Sequence, residues 1–146
     1  MVRLSHRERS IISAGGAALA FSYRRDDDRR QITAAVSGTA TEADLIGIID
    51  RQAAEHTWTY CLLFDERAAH PEITPEALRR VYERVGQVSA VHGKRGRVAI
   101  LTAPMDSSIA REWEPFGARQ PHQVDVFTDP ELAQYWLDAS EADLRR

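Results

Sequence analysis

The sequence predicts an α/β fold: a single mixed, mostly parallel five-stranded sheet in the order ββαβαβαβα, with about four helices. Three observations predict it. Short apolar runs of strand length alternate with longer segments whose apolar residues recur at helical spacing. Those longer segments open on residues that cap helices. Two strand-like runs near the start are joined by a short, highly charged link, as in a hairpin.

The first strand is expected from Ala17 to Arg24 and the second from Gln31 to Ser37. Between them, Arg24-Arg25-Asp26-Asp27-Asp28-Arg29-Arg30 alternates base and acid, the mark of a solvated hairpin tip. Its three aspartates oppose a phosphate-binding arginine cluster. Gly38 ends the second strand, and Thr41-Glu42-Ala43-Asp44 opens a helix with a cap and two early acids that suit the helix dipole. Leu45, Ile48, Ile49 and Ala53 give that helix one apolar face. Thr59 to Phe64, ending at Asp65, reads as a strand covered on both sides.

Glu66 to Ile73 reads as a polar loop containing His70-Pro71. Thr74-Pro75-Glu76 then starts the longest helix, with proline at the first helical position. Its stripe is Leu78, Val81, Tyr82, Val85 and Val88, its stop is Gly93, and Gly86 within it suggests close packing. Arg97 to Leu101 is the next buried strand. Asp106, Ser107 or Ser108 caps a short helix with Ile109, Trp113 and Phe116 inward, closed by Pro115 and Gly117. Val124 to Phe127 is the last strand. Thr128-Asp129-Pro130-Glu131 caps a final helix bearing Leu132, Ala133, Trp136 and Leu137. Residues 1–16 are set apart as an N-terminal extension, 17–139 as the domain, and 140–146 as a polar tail expected to fray.

The bulk numbers agree with one ordinary domain. The chain has 146 residues, 43% apolar and 28% charged, with 19 basic and 22 acidic side chains for a net charge of −3. That balance gives no electrostatic footprint for nucleic acid. Lys94 is the one lysine among many arginines and alanines, a bias expected of a GC-rich bacterial gene. The lone Cys61 excludes an internal disulfide, sits in an apolar run as a small hydrophobe, and fits a cytoplasmic setting. Arg3, Arg7 and Arg9 before the stretch Ile11 to Phe21, with Ala18-Leu19-Ala20, imitate a secretory signal. Ser13, Gly15 and Gly16 dilute it, and cleavage after Ala20 would remove half of the first strand.

Taken together, the segment Val124-Asp125-Val126-Phe127-Thr128-Asp129-Pro130-Glu131-Leu132-Ala133-Gln134-Tyr135-Trp136-Leu137, the Thr41-Glu42-Ala43-Asp44 helix start, Leu62-Leu63-Phe64-Asp65 and Arg97-Val98-Ala99-Ile100-Leu101 resemble the SpoIIAA-like (STAS/SEC14-type) family of small bacterial STAS-fold proteins. The resemblance spans about Ala17 to Ala139. It implies a STAS-like sheet and a regulatory or ligand-sensing module without enzymatic activity, in keeping with a homodimer. The partner it implies is an unidentified protein or a small or lipid-like ligand.

Ligands of parallel α/β sheets sit beyond the carboxyl ends of the strands. The candidate ligand-binding set there is Asp65, Arg67, His70, Asp106, Ser107 and Arg111; the competing reading makes these caps and solvated loop charges. STAS anti-sigma-factor antagonists carry a phosphorylatable serine in Asp-Ser-Ser/Thr-Gly before the long helix. Here that place reads Asp65-Glu66-Arg67-Ala68-Ala69-His70, and the first hydroxyl after it is Thr74, a helix cap. Asp106-Ser107-Ser108-Ile109 imitates the motif one strand too late and without its glycine. Ser107, Ser108 and Thr74 are thus the phosphorylation candidates, with capping as the simpler role. A Ser107–His70–Asp65 hydrolase triad lacks the Gly-x-Ser-x-Gly elbow. The five histidines show no metal-ligand spacing, so neither metal nor cofactor is expected. The basic loop His92 to Arg97 precedes a strand instead of following one and reads as solvated. Trp113, Phe116, Tyr135 and Trp136 could serve a partner or a membrane surface, with Tyr135 the better surface candidate.

Overall fold

The computed structural model describes residues 6–12, 20–69, 73–104 and 123–144. Six strands, β1 (His6–Ile12), β2 (Ala20–Asp26), β3 (Gln31–Gly38), β4 (Cys61–Ala69), β5 (Val98–Leu101) and β6 (Val124–Phe127), lie side by side in chain order. The pairs β1–β2 and β2–β3 are antiparallel; β3–β4, β4–β5 and β5–β6 are parallel. The mixed, mostly parallel sheet is therefore present with its five expected strands. A further strand, β1, falls inside the segment set apart as an extension and pairs with β2 from His6–Asp26 to Ile12–Ala20.

The helices are α1 (Glu42–Glu55), α2 (Pro75–His92), α3 (Pro130–Asp138) and the single turn α4 (Glu141–Leu144). Their starts are chemically explicit. Thr41 and Asp44 form a reciprocal capping box on α1, the Asp44 amide donating to Thr41 Oγ1 at 3.3 Å and the Thr41 amide to Asp44 Oδ2 at 2.8 Å. The Ala77 amide donates to Thr74 Oγ1 at the start of α2, and the Glu131 amide to Asp129 at the start of α3. Within the polar tail, residues 140–144 form a capped turn, with Ser140 and Asp143 bonded reciprocally. The expected short helix with Ile109, Trp113 and Phe116 lies outside the described residues.

Strand alternation sorts the core into two layers. Leu62 and Phe64 of β4 and Val98 and Ile100 of β5 face α1 and α2, joining Ile32, Ala34 and Val36 of β3, Ile48 and Ile49 of α1, and Val81, Val85 and Val88 of α2. Cys61 and Leu63 of β4 and Ala99 of β5 face the other way, onto Ala133, Trp136 and Leu137 of α3. Helices on one face follow β3 and β4, and strand order advances in one direction, as right-handed crossovers require. In α3, Leu132 is 58% exposed, so the expected apolar stripe narrows to Ala133 and Leu137 with Trp136 at its margin; Tyr135, the surface candidate, is 76% exposed.

Two expectations about β4 and Gly86 need correction. β4 does not stop at Asp65 but runs to Ala69, because it keeps pairing with β3 through Ser37–Ala68 and Gly38–Ala69. That continuation requires a bulge, with Glu66 and Arg67 together opposite Val36. Gly86 packs against nothing: a Cβ there would have no atom within 4 Å. The glycine that does hold a close approach is Gly96, where a Cβ would strike the Tyr60 carbonyl and come within 2.6 Å of the Thr59 carbonyl oxygen.

Thermal and urea unfolding test both positions. Gly86→Ala should raise stability by about 1 kcal/mol through helix propensity alone. Gly96→Ala should lower it by about 1–3 kcal/mol, as overpacking against backbone does. Equal behaviour of the two variants would contradict this packing.

Candidate functional site

Of the residues the sequence singles out at the strand ends, the structure describes Asp65, Arg67 and Thr74; His70, Asp106, Ser107, Ser108 and Arg111 lie outside the described residues. Asp65 and Arg67 engage each other. Arg67 Nε and Nη2 donate to the two Asp65 carboxylate oxygens at 3.0 and 2.9 Å, and the Arg67 amide donates to Asp65 Oδ1 at 3.1 Å. Two residues apart on β4, Asp65 and Arg67 share a face of the strand, while Glu66 between them is buried. Thr74 is committed through its hydroxyl to the α2 cap. Asp65 follows the alternation of Cys61 and Leu63, so the pair belongs to the α3 face of the sheet.

On the opposite face the helix pair and the sheet leave an apolar cavity of about 40 Å³. Ile48 and Ile49 of α1, Val81 and Val85 of α2, and Leu62 and Ile100 of the sheet line it. Tyr82 and Arg95 are the residues with polar side-chain groups among those that line it. Sequence reasoning missed Arg95 by reading residues 92–97 as a solvated loop. Nothing in the local pattern marks it, because the group that draws it inward is the distant Trp58.

Trp58 organises this end of the molecule. Its ring is wholly buried, and its indole N–H donates to the Gly93 carbonyl at 3.0 Å and to Ser89 Oγ at 3.3 Å. The Gly96 amide donates back to the Trp58 carbonyl at 3.1 Å, which pins the loop. The Arg95 guanidinium then lies over the indole ring, 4.7 Å from its centroid, a cation–π contact. Arg95 Nη2 donates to Gln52 Oε1 at 3.3 Å, and Gln52 is itself buried and tied to the Thr57 carbonyl. Arg95 Nε is buried without an acceptor, and among the described residues no carboxylate pairs with this cation. Burial lowers the Arg95 pKa to about 10, opposed by Tyr82. Burial likewise pushes Tyr82 up to about 12.

Arg97, two residues on, closes a helix end. It donates to the Trp136 carbonyl at 2.7 Å and to the Leu137 carbonyl at 3.4 Å, at the negative end of α3. The Cys61 thiol is half-buried, donates to the Leu137 carbonyl at 3.8 Å and has its pKa raised by burial, which leaves it a poor nucleophile. Among the described residues no group of three or more His, Cys, Asp or Glu side chains could hold a metal ion. No described helix is long and apolar enough to cross a membrane.

The architecture has solved counterparts. A protein of the DUF3478 family with a SpoIIAA-like fold from Shewanella loihica PV-4 matches 87% of this chain and 99% of its own length, with 17% identity and a TM-score of 0.53. An anti-sigma factor antagonist from Mycobacterium paratuberculosis matches over 91% of this chain and 96% of its own, with 12% identity and a TM-score of 0.49. No protein-family model matches the sequence, and no curated protein is similar enough to count as a relative. The chain thus has the SpoIIAA-like, STAS-type fold that its sequence resembles.

The Asp65–Arg67 fork has a measurable acid–base consequence. Burial alone would raise the Asp65 pKa, but the hydrogen bonds and charge of Arg67 outweigh it and hold the carboxyl below its ordinary 3.8. A depressed carboxylate contributes stability above its unfolded-state pKa and loses it as the pH falls through the folded-state value. Carboxyl-resolved NMR titration of Arg67→Gln should show the Asp65 midpoint moving up from the wild-type position. An unmoved midpoint would break the pairing.

Proposed function

We propose that this chain is a non-enzymatic regulatory module of STAS type, acting in the cytoplasm, whose input is a small ligand held between the helix pair and the sheet. The observation that carries the reading is the apolar cavity between α1, α2 and the strands, with one cation and one phenol at its border. Apolar walls with few polar groups are what small-molecule sites are made of.

The polar pair argues against chemistry at this site. A general base must be free of its proton near neutral pH. With pKa values of about 12 and 10, Tyr82 and Arg95 both stay protonated there. Each can orient a ligand; neither can take its proton.

Occupancy of the cavity would stabilise the seat of α1 and α2 on the sheet. Their outer rim is already bridged by Arg80–Glu42 at 2.6 Å and Arg84–Asp50 at 2.7 Å, exposed pairs that individually contribute little. A ligand at 100 times its dissociation constant adds about 2.7 kcal/mol, enough to bias which surface of the helix pair is presented. A second reading, recognition of a protein partner or a second copy of the chain, is favoured by the exposure of Leu132 and Tyr135 on α3.

Xenon tests the cavity without reference to any natural ligand, because dry apolar cavities take it up. Folded wild-type protein should shift the xenon-129 resonance in a saturable way, and Val85→Phe, whose ring fills the space, should abolish that saturable shift. A shift that is unsaturable, or the same in both proteins, would refute a ligand-accessible cavity.

A further inference from the structure

The cation at the cavity border carries a more specific conclusion, which rests on the ligand-binding reading above. Arginine side chains on a protein surface meet water or carboxylates. Arg95 Nε is buried with no acceptor among the described residues, and the described side-chain hydrogen bond of Arg95 goes to neutral Gln52. The described ion pairs engage Arg25, Arg29, Arg51, Arg67, Arg80 and Arg84 with carboxylates, and Arg95 stands apart from them. Its charge is held by the Trp58 ring and by its position near the carbonyl end of α1, where Gln52 lies. A buried hydrogen-bond donor left unmade is a standing cost, and an anion that reaches it removes that cost.

The geometry limits the anion. One guanidinium, its charge already partly offset by the carbonyl end of α1, suits no more than a single negative charge, and the planar Nε–Nη edge matches the two oxygens of a carboxylate. The cavity limits the remainder of the molecule. One water needs about 10–15 Å³ of such space. The 40 Å³ here therefore takes about three water-sized positions, a tail of a few carbons and not a fatty chain.

We infer that the ligand is a short-chain aliphatic monocarboxylate, its carboxylate on Arg95 Nε and its tail among Ile48, Val85 and Ile100.

The test is an NMR titration of the full chain that follows the Trp58 indole N–H and the cavity methyl groups, with sodium butyrate, butyramide and sodium octanoate as probes. Butyrate should saturate these signals with at least tenfold higher affinity than butyramide, and octanoate should gain nothing over butyrate. Arg95→Met should bring butyrate down to the affinity of butyramide, and Arg95→Lys, which keeps the charge, should restore part of the difference. The wild-type comparison of butyrate with butyramide stands even if a variant fails to fold. Equal affinity for those two probes would overturn the head-group assignment while leaving the cavity reading intact. Tenfold tighter binding of octanoate at the same methyl groups would overturn the size limit. No saturable shift with any probe, together with no xenon uptake, would overturn both readings.

Discussion

Because successive side chains of a strand point to opposite faces, the run Cys61-Leu62-Leu63-Phe64 must be covered on both sides or leave apolar groups in water. That requirement shapes the molecule. Leu62 and Phe64 take α1 and α2 on one face, while Cys61 and Leu63 take α3 on the other. β5 repeats the arrangement with Val98 and Ile100 against Ala99. Parallel pairing of β3, β4 and β5 needs crossover helices, and those helices are the ones that cover the first face. The cavity arises where that cover is incomplete: two helices and a twisted sheet, packed through Ile, Val and Leu, do not close completely around Val85 and Ile100.

The polar closure at one end of this layer follows from the same constraint. The turn between α1 and β4 must place Cys61 in register with Gln31, and it does so by burying Trp58 beneath the 93–97 loop. Gly96 lies so close to the Thr59 and Tyr60 carbonyls that a side chain has no room, which fixes the loop. Once the loop is fixed, Arg95 has an aromatic ring on one side and the apolar space nearby on the other. A charge that would be ordinary in an open loop thereby lies beside the apolar cavity.

Much of this was legible in the chain itself, and the exceptions have physical reasons. Caps at Thr41, Thr74 and Asp129 were readable because they depend on residues within one helical turn. The apolar runs of β4 and β5 were readable because two-sided burial leaves no polar alternation. The continuation of β4 past Asp65 was not, since Glu66-Arg67 looks like a loop until the bulge opposite Val36 is seen. β1 was hidden because His6 to Ile12 mixes charge with isoleucine, as an edge strand can. At the site, Asp65 and Arg67 were singled out as ligand-binding residues; their mutual fork was hidden because it needs β4 to continue past Asp65, which puts the two side chains on one face of a strand. Arg95 and Gly96 were hidden because their environment is built by Trp58, nearly forty residues earlier. Gly86 misled for the converse reason: a helical glycine signals packing only when a neighbour is close, and here none is.

The most direct measurement is of where a bound ligand sits. Nuclear Overhauser contacts between butyrate protons and assigned methyl groups of the full chain should appear for Ile48, Val85 and Ile100 together, placing the ligand simultaneously against α1, α2 and the sheet. Contacts confined to exposed methyl groups such as Val91 and Leu132, with none from those three, would contradict the account.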